Sequence, residues 1–174
     1  GGSKLPPFDL KLRRNPDGSE MQPKPHKCRP VTPWVRDLIL ADTEKRISHG
    51  FAKWGLSKYA SAVVAAKQPN KGPDARRIAT DYSEINRCAE QVKYPCKNQD
   101  EVVRRLRGSK RFAGWDLYKG FNQIRCTAET QELLAMITPH GQVIPLTCPY
   151  GVHSLPSFFQ YNISEKVFKG LEEH

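Results

Sequence analysis

Hydrophobic positions along this chain change their period several times, and each change marks an element. From Pro33 to His49 the residues Val35, Leu38, Ile39 and Ile47 share one face at helical spacing. Thr32 stands in the capping position, Pro33 suits the first turn and Gly50 follows as a stop, so this stretch predicts a helix. Tyr59 to Lys67 reads as a strand and Arg76 to Tyr82 as its partner. Between them residues 68–75 carry the Pro, Asn, Gly and Asp of a turn. Asn98 to Arg107 predicts a short helix with Asn98 as cap, acids early, arginines late and Gly108 after it. Strands are predicted at 111–116 and 120–126, and a hairpin over 132–147 turning at His140-Gly141. Ser154 to Leu171 is the clearest helix: Leu155, Phe158, Phe159, Ile163, Val167 and Phe168 form one stripe behind a Ser154 cap and a first-turn Pro156. No internal repeat is present.

Before the first helix the pattern fades. Residues 1–33 hold Pro6, Pro7, Pro16, Pro23, Pro25, Pro30 and Pro33 and show little periodic apolar pattern. They are expected to form an extended arm that orders only against a partner or the domain body. The division is therefore an arm at 1–33 and one domain at 34–174, a length sufficient to bury a core. The Gly1-Gly2-Ser3 start resembles a cut or engineered end, with no sign of a signal peptide.

Composition narrows the function classes. A mean hydropathy of −0.64, with apolar runs of only a few residues, is that expected of a soluble chain without a membrane span. Five cysteines (28, 88, 96, 126 and 148) contain no C-x-x-C pair, the pattern of reduced thiols in an intracellular protein. Lys and Arg total 28 against 18 acids, a net charge of +10, which makes nucleic acid the natural partner.

The candidate chemistry concentrates in a few stretches. Asp116 ends an apolar run, with Gly120 and the ring of Phe121 just behind it. A carboxylate there can hold a divalent cation if further oxygens join it, and a strand-end role is the alternative. Lys67, Lys71, Arg76 and Arg77 cluster at the tip of the predicted two-stranded finger, suited to phosphates and a flat base, or simply to water. Pro149-Tyr150-Gly151-Val152 is a tight turn whose glycine also permits close backbone approach. His26 and Cys28 have no second ligand pair for zinc, and nothing fixes Cys148 and His153 as a catalytic couple. Neither a G-x-x-x-x-G-K-[ST] loop nor a G-x-S-x-G elbow occurs.

In order, these pieces resemble the fingers and palm of a reverse transcriptase, an RNA-directed DNA polymerase, of the gypsy-type long-terminal-repeat retrotransposons. The likeness runs from about Pro30 to Phe168. Trp54 to Lys67 resembles the entry to the fingers, and Arg77 to Asn86 resembles "R-x-x-x-D-Y-R-x-x-N". Tyr94-Pro95 resembles the "Y-P" before the palm helix, and Asp116 to Ile124 resembles "D-L-x-x-G-Y-x-Q-I". Gln131 to Gly141 resembles the hairpin that follows, and Pro149 to Gln160 resembles "P-F-G-L-x-x-A-P-x-x-F-Q". The resemblance implies an α+β fold: a partial right-hand polymerase fingers and palm, an antiparallel sheet with packed helices, behind a proline-rich arm. It implies Asp116 as a catalytic, Mg²⁺-binding residue with the Leu117 carbonyl beside it, and Phe121 as the ring that rejects a 2′-hydroxyl. Lys67 and Arg77 would contact the triphosphate and base, and Tyr150 and Gly151 would line the nucleotide pocket. The chemistry would be attack of a primer 3′-hydroxyl on an α-phosphate between two Mg²⁺ ions.

The departures are equally specific. Ser83 stands where the family usually has arginine, which loosens the finger, and Leu134-Ala135-Met136 replaces a common "T-A-F". The "Y-x-D-D" turn that supplies the other catalytic aspartates is not in these residues. The expectation is a segment cut short of that motif, which binds RNA or an RNA/DNA hybrid, extends no primer alone, and needs Mg²⁺ only in a complete palm. The alternative is an exapted, non-catalytic RNA-binding subunit of a larger ribonucleoprotein, with protein partners covering the open palm edge.

Overall fold

The computed structural model describes residues 4–170 except Pro73, Cys96, Lys97 and Trp115, and leaves aside the side chains of Pro69, Gln99 and Val102. The chain is mixed α+β. Its helices are α1 (Pro33–Ser48), α2 (Ser83–Cys88), α3 (Gln99–Arg105), α4 (Ala128–Leu133) and α5 (Ser154–Asn162). Its strands are β1 (Ala52–Trp54), β2 (Ser61–Lys67), β3 (Arg76–Thr80), β4 (Met136–Thr138) and β5 (Gly141–Pro145). Among the described residues these strands form one five-stranded sheet in the order β1-β5-β4-β2-β3.

β2 is the joint of the molecule. Its first residues, Ser61 and Ala62, pair with Met136 and Ile137 of β4, while Val63 to Lys67 pair with Thr80 to Arg76 of β3. Burial falls along the same strand, from buried Ser61, Ala62 and Val63 to exposed Ala66 and Lys67. The strand therefore starts inside the sheet and ends as one arm of a two-stranded ribbon. The β2–β4 pairing is parallel, which corrects the expected antiparallel sheet. Parallel neighbours require a long crossover, and the segment containing β3, α2, α3 and α4 supplies it.

The residues before α1 are stitched to the body. Phe8, Leu10 and Leu12 point inward and are buried, whereas Asp9, Lys11 and Arg13 alternate outward. The Phe8 N–H donates to the Arg125 carbonyl at 2.8 Å, and the Thr127 N–H donates to the Phe8 carbonyl at 3.0 Å. The Phe8 ring meets Phe158 edge-on, with centroids 5.1 Å apart. Leu12 bridges Ala89, and the His26 N–H donates to the Ala60 carbonyl at 2.7 Å. The core continues through Ile39, Ile124, Leu134, Val143 and Leu155.

Four predicted elements differ. Residues 111–114 and 116 are not a strand, and Trp115 lies outside the described residues; an extended run counts as a strand only when a neighbour takes its hydrogen bonds. Residues 120–126 are a 3₁₀ turn, Gly120–Gln123, followed by single bridges at Arg125 and Cys126. The hairpin is confined to β4 and β5, because α4 occupies its predicted start. The last helix is α-helical only to Asn162, continues as a π-turn over Ile163–Val167, and leaves Val167 and Phe168 half exposed. His153 rather than Ser154 occupies its N-cap, since the Ser154 hydroxyl donates to the Glu90 carbonyl at 2.8 Å.

Candidate functional site

Where the ribbon leaves the sheet, α1, β3 and two loops enclose an open cavity of about 530 Å³. Its walls carry Asp42, Lys45 and Arg46 from α1, Arg77 and Thr80 from β3, and Lys119, Tyr150 and Gly151 from the loops. Asp42 is held by Arg46 at 2.6 Å, so the cavity's lone carboxylate among these side chains is already paired. Lys45, Arg77 and Lys119 make no ion pair among the described residues and leave the cavity positive. Three cations converging on a concave surface suit a polyanionic ligand.

The aromatic wall is continuous with the cationic one. The Arg77 guanidinium lies 5.8 Å from the Tyr150 ring centroid. Tyr150 packs on Phe121 at 5.1 Å, and Phe121 packs on Phe159 of α5 at 5.3 Å. Lys119 takes a left-handed conformation with φ 47°, which turns the chain so that its Nζ lies 5.2 Å over the Phe51 ring. The next residue packs closely: a Cβ at Gly120 would stand 3.2 Å from the Phe159 ring, which would have to shift by a few tenths of an ångström. Phe121, in the 3₁₀ turn over 120–123, thus sits between Tyr150 and Phe159.

The Tyr150-Gly151 turn is fixed from α2. The Asn86 side-chain amide donates to the Gly151 carbonyl at 2.8 Å, and its oxygen accepts the His153 N–H at 2.9 Å. Gly151 sits at φ 104°, a conformation L side chains rarely adopt. The rest of the Arg77–Asn86 block is equally committed. Asp81 accepts from Arg29 at 2.6 Å and from the Ser83 N–H at 3.2 Å. Hydrogen bonding from Ser83 first, with the charges of His26 and Arg29 adding, holds the Asp81 carboxyl below the usual carboxylate range. Tyr82 is buried and donates to the Leu134 carbonyl at 3.0 Å, and that burial pushes its hydroxyl pKa up.

The structure thus brings together Arg77, Tyr150 and Gly151, with Phe121 behind them, and does not line this cavity with the other expected residues. Lys67 is exposed at the end of β2, opposite Arg76. Asp116 is exposed. Leu117 lines a separate apolar cavity of about 340 Å³ with Leu5, Gly120, Ile124, Phe159 and Ile163. Among the described residues no three His, Cys, Asp or Glu stand close enough to hold a metal ion. Sequence reasoning missed Lys45, Lys119 and Asn86. The spacing of Asp42, Lys45 and Arg46 places them on one helical face, which was a usable signal; the left-handed turn at Lys119 had none.

No family model matches the chain. It is 30% identical over 133 residues to the retrovirus-related Pol polyprotein from transposon 297 of Drosophila melanogaster, covering 75% of this chain and 13% of that one. It is 29% identical over 112 residues to the enzymatic polyprotein of cauliflower mosaic virus (strain NY8153), covering 63% of this chain and 16% of that one. The chain therefore spans less than a fifth of either relative. In fold it matches the prototype foamy virus protease-reverse transcriptase with a TM-score of 0.78 at 20% identity, over 97% of this chain and 21% of that one. It matches the foamy viral protease-reverse transcriptase in complex with an RNA/DNA hybrid with a TM-score of 0.76 at 15% identity, over 99% of this chain and 22% of that one. None of the described helices is long and apolar enough to cross a membrane. The chain is thus similar in sequence to retrovirus-related Pol and viral enzymatic polyproteins, and it shares its fold with part of a protease-reverse transcriptase.

Proposed function

We propose that these residues are the fingers and front palm of a gypsy-type reverse transcriptase, and that the cationic cavity receives the triphosphate of an incoming nucleotide. The observation that carries this reading is the convergence of Arg77, Tyr150 and Gly151 on one cavity that also holds Lys45 and Lys119. Arg77 pairs with phosphate oxygens, the Tyr150 and Phe121 rings face base and sugar, and the Gly151 backbone allows close approach. Lys67, exposed at the end of β2, is a further proposed contact for the triphosphate. The nucleic acid is an RNA/DNA hybrid or RNA, the chemistry suited to a chain of net charge +10.

Mg²⁺ is the ion such chemistry uses, with Asp116 as one ligand and the Leu117 carbonyl beside it. The described residues do not complete that site, because Asp116 has no pair of further acidic, His or Cys neighbours at ligand distance. No catalytic step is therefore assigned to these residues. We propose that they bind nucleotide and nucleic acid and extend no primer by themselves.

The test is titration of the purified chain with a deoxynucleoside triphosphate and with a labelled RNA/DNA hybrid. Arg77→Ala should weaken triphosphate binding by roughly 10-fold or more, as loss of a charge-assisted contact does. Asp116→Ala should leave metal-free binding unchanged. Triphosphate binding indifferent to Arg77, with hybrid or RNA binding intact, would sink this reading in favour of the alternative, a structural RNA-binding subunit of a ribonucleoprotein.

A further inference from the structure

A dense run of positive charge lies outside the cavity. Residues 104–111 read Arg-Arg-Leu-Arg-Gly-Ser-Lys-Arg, so Arg104, Arg105, Arg107, Lys110 and Arg111 place five of the chain's 28 Lys and Arg within eight residues, with no acid among them. They occupy the end of α3 and the turn after it, where the Arg107 N–H donates to the Arg104 carbonyl at 3.2 Å and Gly108 takes φ 89°. Every one of these side chains is exposed.

Three arginines outside this segment are neutralised by carboxylates. Arg29 pairs with Asp81, Arg46 with Asp42 and Arg87 with Glu84. In the α3 segment only Arg105 has a carboxylate, Glu101 at 2.8 Å; Arg104, Arg107, Lys110 and Arg111 make no ion pair among the described residues. Four unpaired cations within eight residues repel one another, a cost relieved by an anionic partner. Arginine's planar fork favours phosphate oxygens over a diffuse counter-ion cloud. None of these residues lines the cavity that holds Arg77.

We propose that residues 104–111 are a second nucleic-acid contact, gripping the phosphate backbone independently of the nucleotide cavity. This rests on the reading that the domain binds nucleic acid. The contacts are sequence-independent and act as an anchor, each one releasing about one counter-ion.

The experiment measures binding of the full chain to a short fluorescein-labelled duplex DNA and to an RNA/DNA hybrid across a salt series. Each lost phosphate contact lowers the slope of log affinity against log salt by about 0.9 on duplex DNA. The variant Arg104→Gln/Arg107→Gln/Lys110→Gln/Arg111→Gln should lower that slope by about 2–4 and weaken binding by at least ~10-fold near 0.1 M salt. The charge-matched control Lys24→Gln/Lys27→Gln/Lys53→Gln/Lys58→Gln should change the slope by less than about 1, because it alters net charge without removing the contact. Both variants replace exposed side chains, and circular dichroism verifies their folding. An unchanged slope in the first variant, or equal losses in the two, overturns the proposal while leaving the nucleotide cavity standing. Failure of the unmodified chain to bind either duplex overturns both readings. An unchanged slope with lost binding to polyglutamate overturns it in favour of an acidic protein partner.

Discussion

Phe8 provides the sharpest test of how the N-terminal residues hold this fold. Its side chain is 2% exposed, its ring sits 5.1 Å from that of Phe158, and its backbone is clasped between Arg125 and Thr127. Phe8→Ala removes the ring and leaves those backbone bonds in place, so the loss is transfer free energy plus a cavity. Such truncations cost about 3–5 kcal/mol, a third or more of the stability of many domains. For a chain of this size that corresponds to a fall in Tm of roughly 10 °C, at about 2–4 °C per kcal/mol. Lys11→Ala is the matched control, because Lys11 lies on the outward side of the same strip. Its 2.7 Å pair with Asp9 is solvent-exposed, so the control should leave stability nearly unchanged. Both values come from urea denaturation followed by tyrosine and tryptophan fluorescence, with limited proteolysis to locate any loosening. A Phe8→Ala loss below ~1 kcal/mol, indistinguishable from Lys11→Ala, would refute the claim that this segment is part of the core.

Asn86→Ala should destabilise the fold by about 1–2 kcal/mol, since it removes hydrogen bonds to Gly151 and His153, and it should weaken triphosphate binding by loosening Tyr150; parallel denaturation and titration check both. Gly151→Ala should cost about 1–3 kcal/mol from its φ of 104° alone, because the added Cβ meets only ordinary contacts at 3.5 Å from Tyr82. Thiol titration in the native state should label exposed Cys28 rapidly and spare Cys88, Cys126 and Cys148 until denaturant is added. Cys148 faces Cys126 at 3.6 Å, and that contact together with burial pushes its thiol pKa up. The Asp81 carboxyl is depressed, so its contribution to stability is present above the ordinary carboxylate pKa and lost as pH falls through the lower folded value. Asp81→Asn should therefore flatten the acid limb of a stability–pH profile below about pH 4.

Helical spacing was legible where one face packs continuously: α1 and the start of α5 lie where Val35, Ile39 and Leu155 predict them. The ribbon of β2 and β3 was legible from its turn chemistry. What escaped was structure decided by distant partners. Phe8, Leu10 and Leu12 alternate as a strand does, yet their short run among prolines hid that signal, and only its fit against Arg125, Thr130 and Ala89 makes it ordered. α4 escaped although Thr127 caps it by accepting the Thr130 N–H, because its apolar end runs straight into β4. The run 120–126 looked extended from composition. The left-handed Lys119 and the close approach of Gly120 to Phe159 bend it, and neither is encoded in a periodicity.

The same distinction explains which site residues the sequence located. Arg77, Tyr150 and Gly151 meet because β3 and the turn before α5 are both tied to α2, through the continuous Asp81–Asn86 segment and through the Asn86 amide. That tie is local in space and rigid, so motif order translated directly into proximity. Among the described residues Asp116 has no such tie: Leu117 and Tyr118 beside it are half or more exposed, and the turn at Lys119 follows them. To serve as the proposed metal ligand, a carboxylate on a segment this exposed needs groups beyond its own stretch to fix it. The cationic cavity has its walls already in place, whereas the carboxylate remains to be positioned. Ligand binding should therefore be measurable in this chain under conditions where primer extension is not.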